Sequence, residues 1–219
     1  MNKYIDIAVI VEPRCHKYLI PIIKTVYKKC NVPILIFHGN NNRNFIINNL
    51  KEVEYNLINL NKDDLTIREY SDLLLTNKFW ENINGENILI FQTDSCVSNY
   101  NEELLKECSQ YGFIGAPTRK IKPIPWQNGG LSLRKKSLMI KAIKTIPHNK
   151  KIFPEDRFFS QDCAKICNPA PWNIANKFSV EIHYYDKPFG FHKCWNYQNK
   201  ENIEKLKITC PELHTIFNL

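Results

Sequence analysis

Through the first ninety positions, short unbroken apolar runs alternate with segments whose apolar residues recur at helical spacing. Ile5–Val11 (IDIAVIV) reads as a buried strand, and it stops at Glu12-Pro13-Arg14, where Pro13 ends regular pairing. Lys17–Lys29 places Leu19, Ile20, Ile23, Val26 and Tyr27 near one face of a helix. Val32–Phe37 (VPILIF) predicts a second strand closed by His38-Gly39-Asn40, Asn44–Leu50 a helix, and Tyr55–Leu60 a short edge strand. Asp64–Ile83 reads as one long helical region or two helices in series, and Thr66 with Glu69 three residues on has the pattern of a capping box. Asn87–Phe91 is a third apolar run that passes straight into Gln92-Thr93-Asp94. A run of this kind ahead of polar residues marks the carboxyl end of a buried parallel strand, where ligands of open α/β sheets sit.

The second half is less regular. Phe113–Ala116 and Gly129–Leu133 read as strands, with a helix over Lys135–Ile146 between the latter and a helix opened by Pro154 and running to about Ile166. Phe178–Ile182 reads as a further strand, Phe189–Trp195 closes the core, and the tail is polar and partly helical. The alternation predicts an α/β fold with a mixed, mainly parallel central sheet flanked by helices. With no internal repeat or low-complexity linker, the 219 residues are expected to form a single domain.

A hydrophobic content of 43% supplies a core, and no apolar run approaches the roughly 20 residues of a membrane span. The N-terminus lacks the features of a secretory signal, so a soluble cytoplasmic protein is expected. The excess of Asn, Ile and Lys fits an AT-rich genome, such as that of a protist or a large DNA virus. The net charge of +8 has two readings, Lys-rich solvated helix faces or an anionic partner such as a nucleotide. The basic residues are scattered and carry no nucleic-acid motif, so no nucleic-acid partner is expected. Eight cysteines without a signal sequence read as free thiols. Cys163 and Cys167 stand one helical turn apart, but no second pair completes a zinc site. Cys15 beside His16 has the elements of a nucleophilic pair, although such partners are usually joined by the fold rather than by adjacency.

Five polar clusters lie at predicted strand ends or helix starts: Glu12-Pro13-Arg14, Gln92-Thr93-Asp94, Asn128-Gly129-Gly130, Glu155-Asp156 and the segment around His192. Each has a plain structural reading. The Gly pair suits a tight turn or a close ligand approach to the main chain. Glu155-Asp156 suits a helix cap or a general base. His192 suits a packed aromatic segment or a metal ligand.

Their order resembles that of GT-A-type glycosyltransferases, and more closely a largely uncharacterised family of small glycosyltransferase-like domains. The blocks that carry the resemblance are VEPRCH (Val11–His16), IFHG (Ile36–Gly39), FW (Phe79, Trp80), ILIFQTDS (Ile88–Ser95), IGAP (Ile114–Pro117), NGGLSLR (Asn128–Arg134), PED (Pro154–Asp156) and FGFHKCW (Phe189–Trp195), which span most of the chain. The resemblance implies a GT-A-like (Rossmann-like) domain with a nucleotide-binding half over 1–95 and a donor-sugar and acceptor half over 96–219. It implies an inverting transfer from a nucleotide diphosphate sugar, most naturally a UDP-sugar, to a glycan or protein acceptor. Asp94 would ligate Mn²⁺ or Mg²⁺ with His192, and Gln92 stands where the family's metal motif has its first Asp. Glu12, Pro13, Arg14, Gln92 and Thr93 would lie along the nucleotide, and Asn128, Gly129 and Gly130 along the donor sugar. Of the acidic pair Glu155 and Asp156, Asp156 is the better candidate base. Two rivals remain. A nucleotidyltransferase would release pyrophosphate, but the first strand carries no Gly-rich, Lys-bearing phosphate loop; a non-catalytic nucleotide-sugar or glycan-binding module is kept open by Gln92.

Overall fold

A computed structural model of the protein describes residues 3–118, 126–146 and 154–219. The first half runs β1 (Ile7–Glu12), α1 (Leu19–Cys30), β2 (Ile34–His38), α2 (Arg43–Asn49), β3 (Tyr55–Asn59), α3 (Ile67–Leu74), α4 (Asn77–Glu81), β4 (Asn87–Phe91), β5 (Ser95–Val97) and α5 (Glu102–Cys108). The second half runs β6 (Phe113–Pro117), β7 (Gln127–Lys135), α6 (Lys136–Thr145), α7 (Glu155–Arg157), a π-helical turn (Phe158–Asp162), α8 (Ala164–Cys167), α9 (Trp172–Phe178), β8 (Ser179–Val180), β9 (Gly190–His192), a 3₁₀ turn (Cys194–Asn196), α10 (Lys200–Thr209) and α11 (Glu212–Thr215).

Six strands form the central sheet in the order β3-β2-β1-β4-β7-β6. The first four are parallel, whereas β7 runs antiparallel to both β4 and β6. The apolar runs read from the sequence are long because β1 and β2 are buried on both faces. Successive side chains then feed two different cores. Ala8, Ile10, Ile34, Ile36, Leu89 and Phe91 pack with α1, α5 and α9, whereas Ile7, Val9, Leu35, Phe37, Ile88 and Ile90 pack with α3, α4 and α6. The result is a sheet between two helical layers. β3 lies at the edge, and no residue of it is buried. The capping box is present at α3, where Thr66 and Glu69 satisfy each other's backbone amides.

A second, three-stranded sheet, β5-β9-β8, carries the late aromatic segment to the carboxyl end of β4. Here β9 pairs antiparallel with β5 and parallel with β8. The C-terminal segment is tied down by the Glu212 carboxylate, which accepts from Ser98 Oγ at 2.8 Å and pairs with Lys29.

Three expectations change. The helix opened by Pro154 does not continue to Ile166; it gives way after Arg157 to the π-helical turn, in which Phe158, Phe159 and Ser160 are all buried. The strand expected over Gly129–Leu133 is longer and runs as β7 from Gln127 to Lys135. The strand expected over Phe178–Ile182 is limited to Ser179–Val180. All eight cysteines are free; seven are buried, including Cys163 and Cys167, and Cys15 is exposed. Among the described residues no helix is long and apolar enough to cross a membrane.

Candidate active site

The parallel strands and the reversed β7 place five separate chain segments at one edge of the sheet. Glu12 ends β1, Gln92-Thr93-Asp94 follow β4, and Asn128-Gly129-Gly130 lie at the start of β7, which is the same edge because β7 runs the other way. α7 adds Glu155 and Asp156, and β9 adds His192. A cleft of about 590 Å³ opens there. The candidates drawn from the five polar clusters line it: Glu12, Pro13 and Arg14; Gln92, Thr93 and Asp94; Asn128, Gly129 and Gly130; Glu155, Asp156 and His192; Cys15, His16, Cys163 and Cys167 are not among its lining residues.

Local pairing explains how the glycines reach the cleft. The β6–β7 register passes from Gly115↔Ser132 to Ala116↔Asn128, so Gly129, Gly130 and Leu131 have no partner in β6, while Leu131 still pairs with Phe91 of β4. Bulges of this kind re-aim the chain beside functional sites. The absent side chains are needed there. A Cβ on Gly130 would overlap the His192 ring, and one on Gly129 would lie 2.9 Å from Glu155 Oε1 and 3.1 Å from Asp156 Cβ. Gly130→Ala is therefore expected to displace His192 and to lower stability by about 1–3 kcal/mol, as overpacking does. Urea unfolding monitored by circular dichroism measures this, and an unchanged midpoint would contradict the packing.

The acidic pair is divided between two tasks. Glu155, buried to 3%, faces the guanidinium of Arg134, which donates to Oε2 at 2.6 Å and to Oε1 at 3.1 Å. Arg134 is itself fully buried, and its guanidinium carbon lies 4.7 Å from the ring centre of Phe113. Glu155 is thus committed to a buried ion pair. Asp156 accepts from Gly129 N at 2.9 Å, from Trp126 Nε1 at 3.0 Å and from Arg157 N at 2.7 Å. Burial, followed by the neighbouring Glu155 charge, pushes its pKa up to about 6. A carboxylate with that pKa ionises near neutrality and still takes up a proton readily, as a general base must.

On the other side of the Gly pair, His192 stands between two carboxylates. Its Nε2 is 3.3 Å from Asp94 Oδ1, and its Nδ1 is 3.2 Å from Glu181 Oε1. Burial opposes a charge on the ring, but the two flanking carboxylates outweigh it and raise the His192 pKa above its ordinary value. Burial likewise opposes the charge on Asp94, yet His192 and Lys193 hold its pKa below the usual carboxylate range. Lys193 Nζ lies 3.0 Å from Asp94 Oδ2.

The residues present fit a divalent cation. Two ligands about 2.1 Å from one ion and at right angles to each other stand about 3 Å apart. Asp94 Oδ1 and His192 Nε2 have that spacing, and neither atom makes a hydrogen bond. Among the described residues no group of three or more His, Cys, Asp and Glu is assembled as a metal cluster. A cation held here would draw its remaining ligands from substrate oxygens and water, the usual situation for Mg²⁺ on phosphate substrates.

At the opposite lip, Glu12 holds Arg14 through Nε at 2.8 Å and Nη2 at 2.9 Å. Asn42, fully buried, donates to the carbonyls of Glu12 and Arg14 at 2.8 and 2.9 Å and accepts from Gly39 N at 2.9 Å. It fixes the loop that follows β1. Sequence reasoning missed Asn42, Arg134, Glu181 and Trp126, and it gave Lys193, which stands in the cluster around His192, no role of its own. Arg134 and Lys193 lie inside quoted blocks, so position could have flagged them. Trp126 and Glu181 carry no local signal, since their side chains meet partners supplied by other elements, and Asn42 has one local partner, Gly39.

The family described as Protein of unknown function (DUF5672) matches the chain over residues 54–192. No curated protein matches the sequence. Among solved structures, the glycosyltransferase GlyE from Streptococcus pneumoniae TIGR4 aligns at a TM-score of 0.56 and 12% identity, over 98% of this chain and 62% of GlyE. This chain thus spans less than two thirds of GlyE's length. The inositol-1-phosphate CTP transferase from T. maritima aligns at a TM-score of 0.50 and 10% identity, over 94% of this chain and 98% of that one. At such identities the likeness establishes the fold: a mixed α/β architecture, with a mainly parallel six-stranded sheet, shared with glycosyl- and nucleotidyltransferases.

Proposed function

We propose that this chain, which belongs to the DUF5672 family, is an inverting glycosyltransferase that moves a sugar from a nucleotide diphosphate donor, a UDP-sugar in the simplest case, to an acceptor hydroxyl. The observation that carries this reading is the meeting of Asp156 with the Asp94–His192 pair on one cleft at the carboxyl edge of the sheet. The two groups suit opposite ends of a displacement. Asp156, fixed by Gly129 and Trp126, takes the proton of the attacking hydroxyl. The acceptor oxygen bonds to the anomeric carbon, and the bond from that carbon to the diphosphate breaks, with its electron pair leaving on the diphosphate. A single displacement of this kind inverts the anomeric centre.

Asp94 and His192 would hold the divalent cation, which when bound neutralises charge on the diphosphate as a Lewis acid. Lys193 adds a protein-borne positive charge beside Asp94. Gly129 and Gly130 let the donor approach the main chain closely. Glu12, Arg14, Gln92 and Thr93 line the part of the cleft assigned to the nucleotide, and a glycan or protein hydroxyl is the acceptor.

Incubating purified protein with a panel of nucleotide sugars, with Mn²⁺ or with a chelator, tests the reading. Release of the nucleoside diphosphate is expected with Mn²⁺, and Asp94→Ala is expected to remove the metal-dependent part of the rate. Pyrophosphate release from a nucleoside triphosphate would instead establish the nucleotidyltransferase reading, which the shared fold keeps in play. Donor binding by calorimetry without turnover would establish a binding module. Turnover that survives both Asp94→Ala and Asp156→Ala would remove these residues from the mechanism.

A further inference from the structure

The three-stranded sheet has a consequence for the cation site. In the β8–β9 pair, Ser179 lies opposite Gly190 and Val180 opposite Phe191. Continuing that parallel register by one residue sets Glu181 beside His192. On the other flank, β5 pairs Ser95 with His192, and Asp94 immediately precedes Ser95. The sheet thus sets Glu181 beside His192, and the turn that leads into β5 brings the Asp94 carboxylate to the other ring nitrogen, 3.3 Å from Nε2.

Burial makes this alignment consequential. Glu181 and His192 are 4% and 3% exposed. A carboxylate in such surroundings needs a partner. Among the described residues, the one ion pair that Glu181 makes is with His192 Nδ1, at 3.2 Å. Gln198 Nε2 donates to the Glu181 main-chain carbonyl at 2.9 Å, which holds the residue just beyond the strand. The ring's close seat against Gly130 restricts it from the side. Its two nitrogens face carboxylate oxygens at 3.2 and 3.3 Å, off the hydrogen-bond line. Contacts of this kind commonly tighten when a site is filled.

We propose that Glu181 is the positioning residue of the cation site: its carboxylate accepts the Nδ1–H of His192 as a hydrogen bond, keeps the ring proton on Nδ1, and so presents a bare Nε2 to the cleft beside Asp94. The inference rests on the reading of Asp94 and His192 as cation ligands. Its physical basis is general. An imidazole carries one proton on one nitrogen when neutral, and the group facing Nδ1 decides which nitrogen is free to bind a metal. Glu181 touches neither donor nor cation and acts through the ring.

Two measurements test it. Long-range ¹⁵N NMR of the wild-type protein without metal, at a pH where the His192 ring is neutral, is expected to show Nδ1 protonated and Nε2 bare. An Nε2-protonated ring would overturn the proposal, and this readout depends on neither a metal nor a variant. Calorimetry of Mn²⁺ binding in the presence of uridine diphosphate is expected to show affinity about 10–100-fold weaker in Glu181→Gln than in wild type. A lowered melting temperature in Glu181→Gln with Mn²⁺ affinity intact would mark Glu181 as a purely structural partner and overturn the proposal. If Asp94→Ala abolishes Mn²⁺ binding in that case, the cation site itself stands. Binding equal in wild type and Asp94→Ala would overturn the cation site, and the proposal with it.

Discussion

Asp156→Asn is expected to lower the transfer rate by about 10²–10⁴-fold, the usual contribution of a positioned base. The substitution keeps the size of the side chain and one acceptor oxygen, which can serve Trp126 Nε1 and Arg157 N on the Oδ1 side, and it gives up the bond that Gly129 N makes to Oδ2. The pH profile gives a second readout. Burial and Glu155 raise the Asp156 pKa to about 6, and the base form is the ionised one. The wild-type rate should therefore rise through about pH 6 and level off above it, and this acid limb should vanish in Asp156→Asn. Stability runs the other way. A carboxyl whose folded pKa lies above its unfolded value of about 3.9 contributes stability that is fully present below about pH 4 and lost as pH rises through about 6. At neutral pH the ionised carboxylate is thus a local cost, which Asp156→Asn removes while leaving one buried donor without its acceptor, so the two effects on melting oppose each other. An Asn variant with full turnover would exclude Asp156 as the base.

Arg134→Leu is expected to produce the largest loss of stability. Arg134 is fully buried and gives Glu155 two hydrogen bonds from the middle of the aromatic cluster formed by Trp80, Phe113 and Phe159. Removing one member of a buried pair leaves the other charged and unpaired, which costs about 3–5 kcal/mol. In a chain of this size that is a fall in melting temperature of roughly 10 °C. Replacing both partners, Arg134→Leu with Glu155→Leu, should recover much of the loss because no orphaned charge remains. The single variant also bears on Asp156: the Arg134 charge lowers the Asp156 pKa, so its removal should move the acid limb of the rate profile to higher pH. Differential scanning calorimetry of the single and double variants decides the first point. A single variant that melts within a degree of wild type would show that the pair is not carrying the core.

Legibility in the sequence followed burial. β1, β2 and β4 were readable because strands covered on both faces become near-continuous apolar runs, and β4 was bounded to the residue at Asn87–Phe91. α3 was readable from its cap. The reversal of β7 was not, since strand direction is decided by partners and not by local pattern. The three-residue β5 and the helix α9 were equally silent, because each is held by contacts with distant segments, and β8 was read too long. The break after Arg157 leaves no mark in the sequence, because Arg157, Gln161 and Lys165 keep a polar face at helical spacing through the π-helical turn.

The candidate site followed the same division. Asp94, Gly129, Gly130, Asp156 and His192 were found because their residue types suit strand ends, close approach and proton transfer. The bonds around them belong to partners that only the fold supplies. Trp126 reaches Asp156 across 30 positions of sequence, and Glu181 meets His192 only because β8 and β9 pair. The sequence thus exposed the groups that face the cleft and concealed those that hold them in place.

The distribution of thiols has a practical consequence. Cys15 is exposed and follows Arg14, a residue of the cleft wall. The other seven cysteines are buried, and burial pushes the thiols of Cys30, Cys108, Cys163 and Cys194 up to about 12, far from the thiolate form that alkylating reagents require. The native chain therefore carries a single exposed thiol, next in sequence to a residue of the cleft wall. A fluorophore or spin label coupled there reports on ligand arrival without any cysteine having to be engineered out.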